Sequence, residues 1–347
     1  MKKLAILIIG LLLFAVVFTG CGKADASAAD KTNGNGISIV CTIFPMYDWT
    51  RQIIGDKADN IELTLLQDGS VDLHSYQPTV DDIIKISNCD LFIYVGGESD
   101  KWAEDALAQA TNPDMTVINL LQVLGDSAKT EASDYVIEEE HDHDSQDDYD
   151  GDDEHEYGDN HDEHDSHEGA LDEHVWLSIK NSQIFCGRIA DALSSLEPEG
   201  AENFNNNFDE YTTKLSELDD EYQVAVGESS VKTLLFGDRF PFRYMVDDYG
   251  LQYHAAFAGC SAETEASFET IAMLAEKVDA LGLKVVMVTE SSDQAIAKTI
   301  IENTVDKNQK ILIMDSLQSV NPTDAEGGAT YVSIMESNLT TLKEALG

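Results

Sequence analysis

The stretch FNNNFDEYTTKLSELDDEYQVAV, residues 204–226, predicts one long amphipathic helix. Its apolar side chains recur three or four positions apart, at Phe204, Phe208, Tyr211, Leu215, Leu218, Tyr222 and Val226. At about 1.5 Å per residue such a helix is on the order of 30 Å long, enough to run along a whole domain. We therefore expect residues 198–229 to link two structural units.

Short apolar runs rich in β-branched residues alternate with helix-period segments on both sides of this helix. The runs before it are 37–44, 61–66, 91–96 and 116–120. The runs after it are 233–236, 251–257, 284–289 and 310–314. This pattern predicts an α/β fold with two lobes, 37–197 and 230–347, each a mostly parallel four-stranded sheet flanked by helices. The carboxyl ends of the strands and the cleft between the lobes are the expected ligand site.

The N-terminus has the features of an export signal. Residues 1–20 start with MKK, continue with the apolar run LAILIIGLLLFAVVF and end in small residues. Residues 18–21, FTGC, resemble a bacterial lipobox, which implies acylation of Cys21 and a lipid anchor on the extracytoplasmic face of the cell membrane. Phe18 is less usual at its position, so a soluble secreted form is the alternative. Residues 21–36 are expected to be a flexible tether.

The formal net charge of -45 excludes nucleic acid as a partner, since binding a phosphate backbone needs an excess of Lys and Arg. Four cysteines remain after Cys21, namely Cys41, Cys89, Cys186 and Cys260. They are widely spaced without a Cys-x-x-Cys pair, which argues against a thiolate zinc site. Buried free thiols are the simplest interpretation, and a disulfide is the alternative.

An acidic, histidine-rich insert occupies residues 131–170. Within it, residues 138–169 hold six of the nine histidines and seventeen carboxylates. So few apolar residues and so much like charge predict disorder. The motifs HDH and HDEHDSH place histidines close enough to share one ion, so weak secondary metal ligands are predicted at His141, His143, His161, His164 and His167. The competing interpretation is charge that only keeps the protein soluble.

A carboxylate follows three strands of the second lobe, Asp238 after TLLFG, Glu290 after KVVMVT and Asp315 after KILIM. In a parallel sheet these positions share one edge, so the three acids are expected to converge. Each alone is more typical of a helix cap or turn. Together they indicate a cation site, because clustered like charges repel unless a metal neutralises them.

Two histidines of the first lobe lie in loops beside acidic residues, His74 in VDLHSYQPT and His174 in LDEHVWLS. They are the only histidines of this lobe outside the insert. A neighbouring carboxylate could orient each ring for metal binding. A packed or capping histidine is the alternative.

The motifs DLHSYQPTVDDI, DEHVWLSIKN, GDRFPFRYMVDDYGL, VVMVTESSD and ILIMDSL follow one another along the chain. In this order they resemble the metal-binding lipoproteins that serve ABC transporters for zinc and manganese. The resemblance implies two α/β lobes bridged by one long rigid backbone helix, with one metal held by two residues from each lobe. Carried over by position, His74 and His174 are first-lobe ligands and Asp315 is the last ligand.

The third ligand departs from the family pattern. Zinc-type members have His, and manganese-type members Glu, just after the first strand of the second lobe, whereas this chain has Asp238. His254 in YHAAF imitates the zinc motif but lies inside the next predicted strand, so we prefer Asp238 and keep His254 and Glu290 as secondary candidates. The histidine-rich insert stands where zinc-type members carry one, which favours Zn²⁺, with Mn²⁺ as the alternative.

These observations predict a receptor, not an enzyme: a monomeric, lipid-anchored protein that hands zinc to the membrane permease of an ABC transporter. A zinc hydrolase with Glu173 or Glu290 as general base is an alternative from another class. Against it, the chain has no HExxH motif, and four protein ligands would leave no open position for a water. A surface adhesin is a further alternative, although the chain shows no extended adhesive repeat.

Overall fold

The computed structural model describes residues 36–56, 58–67, 73–131, 170–261 and 265–347. The predictions for the export signal, for Cys21 and for the five insert histidines fall outside these residues. Residues Ile37–Gly347 form one compact unit, which contains both predicted lobes.

The first lobe is built on a four-stranded, fully parallel sheet with strand order β2-β1-β3-β4. Its strands are β1 Ile37–Cys41, β2 Ile61–Leu65, β3 Leu91–Tyr94 and β4 Thr116–Asn119. Its helices are α1 Phe44–Ile54, α2 Val80–Asn88, α3 Lys101–Ala108 and α4 Leu120–Leu124. Every residue of β3 is buried, as expected of a central strand with both faces covered.

Two consecutive helices lead from the first lobe to the second, α5 Ile179–Leu196 and α6 Ala201–Glu228. The six buried side chains of α6 all belong to the predicted apolar seam. This helix packs on α5 and on α1 of the first lobe. The hydroxyl of Tyr222 also donates a hydrogen bond of 2.7 Å to the carbonyl of Met335 in the second lobe. The long helix therefore contacts both lobes.

The second lobe repeats the architecture, with a parallel sheet of order β6-β5-β7-β8. Its strands are β5 Thr233–Phe240, β6 Gln252–Ala258, β7 Val285–Thr289 and β8 Lys310–Met314. Its helices are α7 Arg243–Tyr249, α8 Phe268–Leu281, α9 Ala295–Asn303, α10 Pro322–Glu326 and α11 Tyr331–Leu346. The predicted α/β fold class and all eight predicted strands are confirmed.

The position of Asp238 differs from the prediction. Asp238 was expected directly after its strand, but β5 continues to Phe240 and contains it. The pairing of β5 with β6 shifts register between Phe236 and Arg239, so the strand resumes after an irregularity at Gly237 and Asp238. Glu290 and Asp315 do follow β7 and β8 directly, and His254 lies inside β6.

One hydrophobic core cluster contains buried residues of both lobes, from Ile39 to Leu346. Polar contacts join the lobes as well. The buried carboxylate of Asp48 accepts a hydrogen bond of 2.8 Å from the backbone N–H of Tyr331. The guanidinium of Arg51, 2.6 Å from Asp48, donates to the carbonyl of Ala329. The two lobes therefore pack as one body along their shared face.

Among the described helices, none is both long and apolar enough to cross a membrane. Cys41, Cys89 and Cys186 are buried free thiols, whereas Cys260 is a free thiol that is partly exposed.

Candidate metal centre

His74 lies in a single 3-10 turn, Leu73–Ser75, that follows β2. Its ring atom Nδ1 is 2.7 Å from the Oγ of Ser99 and 3.3 Å from the carboxylate Oε2 of Glu173. A neutral ring can carry its proton on Nδ1 and donate it to the Ser99 hydroxyl or towards the Glu173 carboxylate. In that tautomer Nε2 is the nitrogen that can bind a metal.

Glu173 is held in place by the loop that follows β3. The backbone N–H of Ser99 donates a hydrogen bond of 2.9 Å to its Oε1. Gly97, at φ +83°, passes so close that a Cβ on this residue would overlap the Glu173 side chain. Burial acts to raise the pKa of Glu173, but the hydrogen bonds from His74 and Ser99 outweigh it and lower the pKa below its ordinary value. Glu173 therefore acts as an ionised partner for His74.

His174 is fully buried at the start of the segment that leads into α5. Its backbone N–H and its Nδ1 atom lie 2.9 and 3.0 Å from the same carboxylate oxygen, Oδ1 of Asp172. The phenol of Tyr244 donates a hydrogen bond of 3.0 Å to the carbonyl of Asp172 and fixes this residue in turn. The carboxylate holds the proton on Nδ1 and leaves Nε2 with its lone pair.

The Nε2 atoms of His74 and His174 face each other at 3.3 Å. Without a metal this distance allows one ring to donate a hydrogen bond to the other, and a cation between the two nitrogens would be bound by both. Two imidazoles on a tetrahedral zinc, with Zn–N distances of about 2.0–2.1 Å, would have nitrogens roughly 3.3–3.4 Å apart. The predicted first-lobe histidines are thus brought together with the spacing that one zinc ion requires.

A third atom of a type that can bind a metal belongs to the same group. Among the residues that the structure describes, the Sγ of Cys260 and one ring nitrogen each of His74 and His174 lie within 4.8 Å of one another. Burial raises the pKa of the Cys260 thiol well above its ordinary value, and the carboxylates of Glu131 and Asp172 add to the shift.

Cys260 was not among the predicted metal ligands, because the cysteines of this chain are not closely spaced in the sequence as those of a thiolate zinc site usually are. A usable signal was present: Cys260 is the third residue after the apolar run LQYHAAF, at the strand end where Asp238, Glu290 and Asp315 were expected on the other strands. The rule that parallel strands end at one edge applies to a thiol as well as to a carboxylate.

Asp238 is not part of this group. Its Oδ1 accepts a hydrogen bond of 2.8 Å from the N–H of Arg239, and its Oδ2 accepts from the N–H and the hydroxyl of Thr289 at 3.1 and 2.7 Å. Since Thr289 is the last residue of β7, its two contacts link β5 to β7. Asp238 therefore has a structural role that a metal is not needed to explain.

Glu290 is also outside the group. It accepts hydrogen bonds from the N–H and the hydroxyl of Ser316, both 2.8 Å, and from the hydroxyl of Ser319 at 3.1 Å. These contacts hold the loop that follows β8 and leave Glu290 well satisfied.

Asp315 lies on that loop and is less engaged. Among the described residues its carboxylate accepts one hydrogen bond, 2.7 Å from the N–H of Leu317. Burial, with a contribution from the charge of Glu290, raises its pKa to about 6. The indole of Trp176 donates a 2.9 Å hydrogen bond to the carbonyl of Ser316, so the Asp315 loop lies beside the loop of His174, although Asp315 is not among the three converging atoms.

His254 pairs with Leu235 across β6 and β5 and is partly buried. Burial and the nearby charge of Lys277 on α8 lower its pKa. It is not part of the group formed by His74, His174 and Cys260.

The two ends of the insert meet next to this centre. Thr130 and Leu171 form an antiparallel bridge, and the N–H of Glu131 donates a hydrogen bond of 2.9 Å to the carbonyl of Ala170. The Oε1 atom of Glu131 accepts a hydrogen bond of 2.8 Å from the N–H of Cys260. The acidic insert therefore leaves and re-enters the fold beside the group of three ligand atoms.

Comparison with known proteins identifies the family of this chain. The model of a family described as zinc-uptake complex component A, periplasmic (ZnuA) matches residues 39–345. The zinc-binding protein AdcA of Streptococcus pyogenes serotype M6 is 29% identical over 311 residues, which are 88% of this chain and 55% of the relative. The chain thus spans about half the length of the AdcA proteins of this species that it matches.

The high-affinity zinc uptake system protein ZnuA of Bacillus subtilis is 28% identical over 340 residues, 97% of both chains. The crystal structure of the Zn(II)-bound ZnuA-like domain of Streptococcus pneumoniae AdcA superposes with a TM-score of 0.65 at 26% identity, over 90% of this chain and 99% of the other. With a family model that covers nearly all of the described fold, this chain belongs to the family of zinc-uptake complex component A.

Proposed function

We propose that this protein is an extracytoplasmic zinc receptor that binds Zn²⁺ tightly and passes it to the membrane permease of an ABC transporter. The observation that carries the proposal is the 3.3 Å separation of the two Nε2 atoms of His74 and His174. The family description and the zinc-binding names of its relatives support the same metal. A family of binding components also argues against the hydrolase alternative.

His74 and His174 are the proposed first-lobe ligands, and Asp315 is the proposed carboxylate ligand of the second lobe. Glu173 and Asp172 each lie against Nδ1 of one ring, so the two imidazoles are oriented with Nε2 facing Nε2 before the ion arrives. Asp315 has spare acceptor capacity, and its charge is disfavoured by burial beside Glu290. A bound cation would relieve that cost.

The donor set favours zinc over manganese. Two imidazoles suit Zn²⁺, whereas Mn²⁺ prefers carboxylate, carbonyl and water oxygens. The buried position of His174 restricts the number of waters at the ion, which suits a four-coordinate metal better than a six-coordinate one. Zn²⁺ is accordingly the proposed cargo.

The location follows from the N-terminal sequence and from a relative. The zinc-binding AdcA of Streptococcus pneumoniae strain R6, 29% identical over 345 residues, is called a lipoprotein. Together with the FTGC motif this supports cleavage before Cys21 and a lipid anchor there, so that the receptor stays next to its permease.

The test is a zinc titration of the purified protein in competition with a chromogenic chelator. The wild type is expected to hold one tight zinc per chain, and His74→Ala and His174→Ala are each expected to weaken it at least 100-fold, because each removes a direct ligand. The matched control is His254→Ala, which removes a partly buried histidine of the second lobe and is expected to bind as the wild type does.

Tight zinc binding that survives in both His74→Ala and His174→Ala would overturn the assignment of the site. Equal or tighter binding of Mn²⁺ in the same assay would overturn the choice of metal. Transport is checked separately, by the growth of a zinc-starved host that carries each variant in place of its own copy.

A further inference from the structure

We infer that Cys260 supplies a thiolate ligand from the second lobe to the zinc held by His74 and His174; this inference rests on the proposed function. The Sγ of Cys260 and the histidine nitrogens lie within 4.8 Å of one another. The site would then be a mixed imidazole and thiolate centre.

The backbone before Cys260 is brought against His174 by close packing. A Cβ on Gly259 would lie 2.8 Å from the carbonyl of Phe240, 3.0 Å from Cε1 of His174 and 3.1 Å from its Nδ1. Only glycine allows β6 to end this close to the imidazole. The next residue along the chain is Cys260, and its side chain therefore starts at the edge of the His174 ring.

The position of Cys260 is also fixed from the other side. Its backbone N–H donates to Glu131, at the root of the insert, and the N–H of Ser261 donates to the carbonyl of Ala258 to close a tight turn. These contacts hold the backbone of Cys260, a residue that is partly exposed. An ion bound by both imidazole rings would therefore also lie within reach of the Cys260 sulfur.

The distances fit zinc after a small side-chain adjustment. A tetrahedral zinc with Zn–S of about 2.3 Å and Zn–N of about 2.0–2.1 Å would separate sulfur from nitrogen by roughly 3.6 Å. The present limit of 4.8 Å exceeds this by about an ångström, so binding would require the three side chains to close up by that amount. On binding, the thiol loses its proton to solvent and coordinates as the thiolate.

Cys260 fits the third position better than Asp238. All the hydrogen bonds of the Asp238 carboxylate run to β5 and β7, so ligation by Asp238 would leave the N–H of Thr289 without its acceptor. Ligation by Cys260 breaks no hydrogen bond of a β-strand. A thiolate also adds selectivity, because soft sulfur favours zinc over manganese.

The test is cobalt substitution, because Co²⁺ takes zinc sites and a bound thiolate produces sulfur-to-cobalt charge-transfer absorption in the near ultraviolet. We expect this absorption in the wild type and its loss in Cys260→Ser. The matched control is Cys89→Ser, since the Cys89 thiol donates to the carbonyl of Ile86 and a serine hydroxyl can do the same. Cys260→His should keep tight metal binding without the absorption band, because it exchanges one zinc ligand for another.

Zinc affinity is measured in parallel. Cys260→Ala is expected to lose at least 100-fold, since a direct ligand should matter more than an outer hydrogen-bond partner, whose loss costs about 10–100-fold. Thermal melting of the metal-free variants shows whether the fold persists. Tight cobalt binding without the sulfur band in the wild type overturns the role of Cys260 and leaves the receptor proposal standing. Absence of tight metal binding in the wild type overturns the receptor proposal itself.

Discussion

The histidines of the first lobe and the carboxylates of the second lobe contrast in how their polar atoms are used. In His74 and in His174, one ring nitrogen contacts a carboxylate and the other faces the partner histidine. Asp238 and Glu290 instead direct both carboxylate oxygens at N–H and hydroxyl groups of their own lobe.

This is the difference expected between a metal ligand and a structural acid. A side chain can bind a metal without cost to the fold when one of its atoms is fixed by the protein and another remains available. A carboxylate that is fully hydrogen-bonded must give up existing contacts before it can coordinate. A position at a strand end is thus not enough to make a carboxylate a metal ligand. The hydrogen-bond partners of its oxygens decide whether it can coordinate an ion.

The largest expected effect is on stability, in Asp238→Ala. The substitution leaves the N–H of Thr289 without its acceptor and removes hydrogen bonds to a charged group, so we expect the free energy of unfolding to fall by about 2–4 kcal/mol. The zinc affinity of the folded protein should change less than about threefold. Urea denaturation of the metal-free protein and chelator competition measure the two quantities. A large loss of affinity with unchanged stability would restore Asp238 as a ligand.

The next largest effect is expected for Asp315→Asn, which should lower the zinc affinity and raise the stability of the metal-free protein. Zinc affinity should fall about 10- to 100-fold, because a charge-assisted contact worth about 1.5–3 kcal/mol is weakened. Chelator competition provides this measurement. If affinity is unchanged, Asp315 is not a ligand.

The stability of metal-free Asp315→Asn should depend on pH. The pKa of Asp315 is raised to about 6 in the fold. The contribution of this carboxyl group to the free energy of unfolding of the wild type is therefore most favourable below pH 4 and is lost as the pH rises through 6. The asparagine variant stays neutral, and we expect it to be more stable than the wild type by about 1 kcal/mol at pH 8. The difference should vanish towards pH 4. Thermal melts of both proteins at pH 4 and pH 8 show whether the variant is the more stable one at pH 8.

A smaller effect is expected for Asp172→Asn, which leaves every proposed ligand in place. The amide is a weaker partner for Nδ1 of His174, so zinc affinity should fall about tenfold. Asp81→Asn changes an exposed helix carboxylate, 74% accessible, and serves as the control for loss of one charge. If both variants bind zinc equally, the carboxylate behind His174 does not orient its ring for the metal.

The smallest effect on affinity is expected from replacing residues 132–169 with a short Gly/Ser loop. The contact between Glu131 and Ala170 shows that such a loop can join the ends without strain. The tight site should keep its affinity within about twofold, while zinc capture at low salt should slow down. This difference should shrink as salt shortens the screening length towards 8–10 Å and below. Stopped-flow capture measures it, and loss of the tight site would place that site in the insert.

Periodicity was sufficient to predict the two sheets and the long helix, because apolar spacing reports directly which face of each element is buried. It could not predict that β5 continues through Gly237 and Asp238, since a glycine followed by an acid normally indicates a turn. His74 and His174 were identifiable from their acidic neighbours. The position of Cys260 just after its strand was visible in the sequence, but its approach to His174 was not, because this depends on the packing of Gly259, a contact between residues far apart in sequence.

The shared hydrophobic core has a consequence for how fast a bound ion can leave. Hinge-like separation of the lobes would expose apolar surface at about 25 cal/mol per Å², so even 400 Å² would cost on the order of 10 kcal/mol. Exchange through the turn that carries His74 and the loop that carries Cys260 avoids that cost. In a receptor of the proposed kind, the residence time of the metal would therefore be set by the fluctuations of these short segments and not by separation of the two lobes.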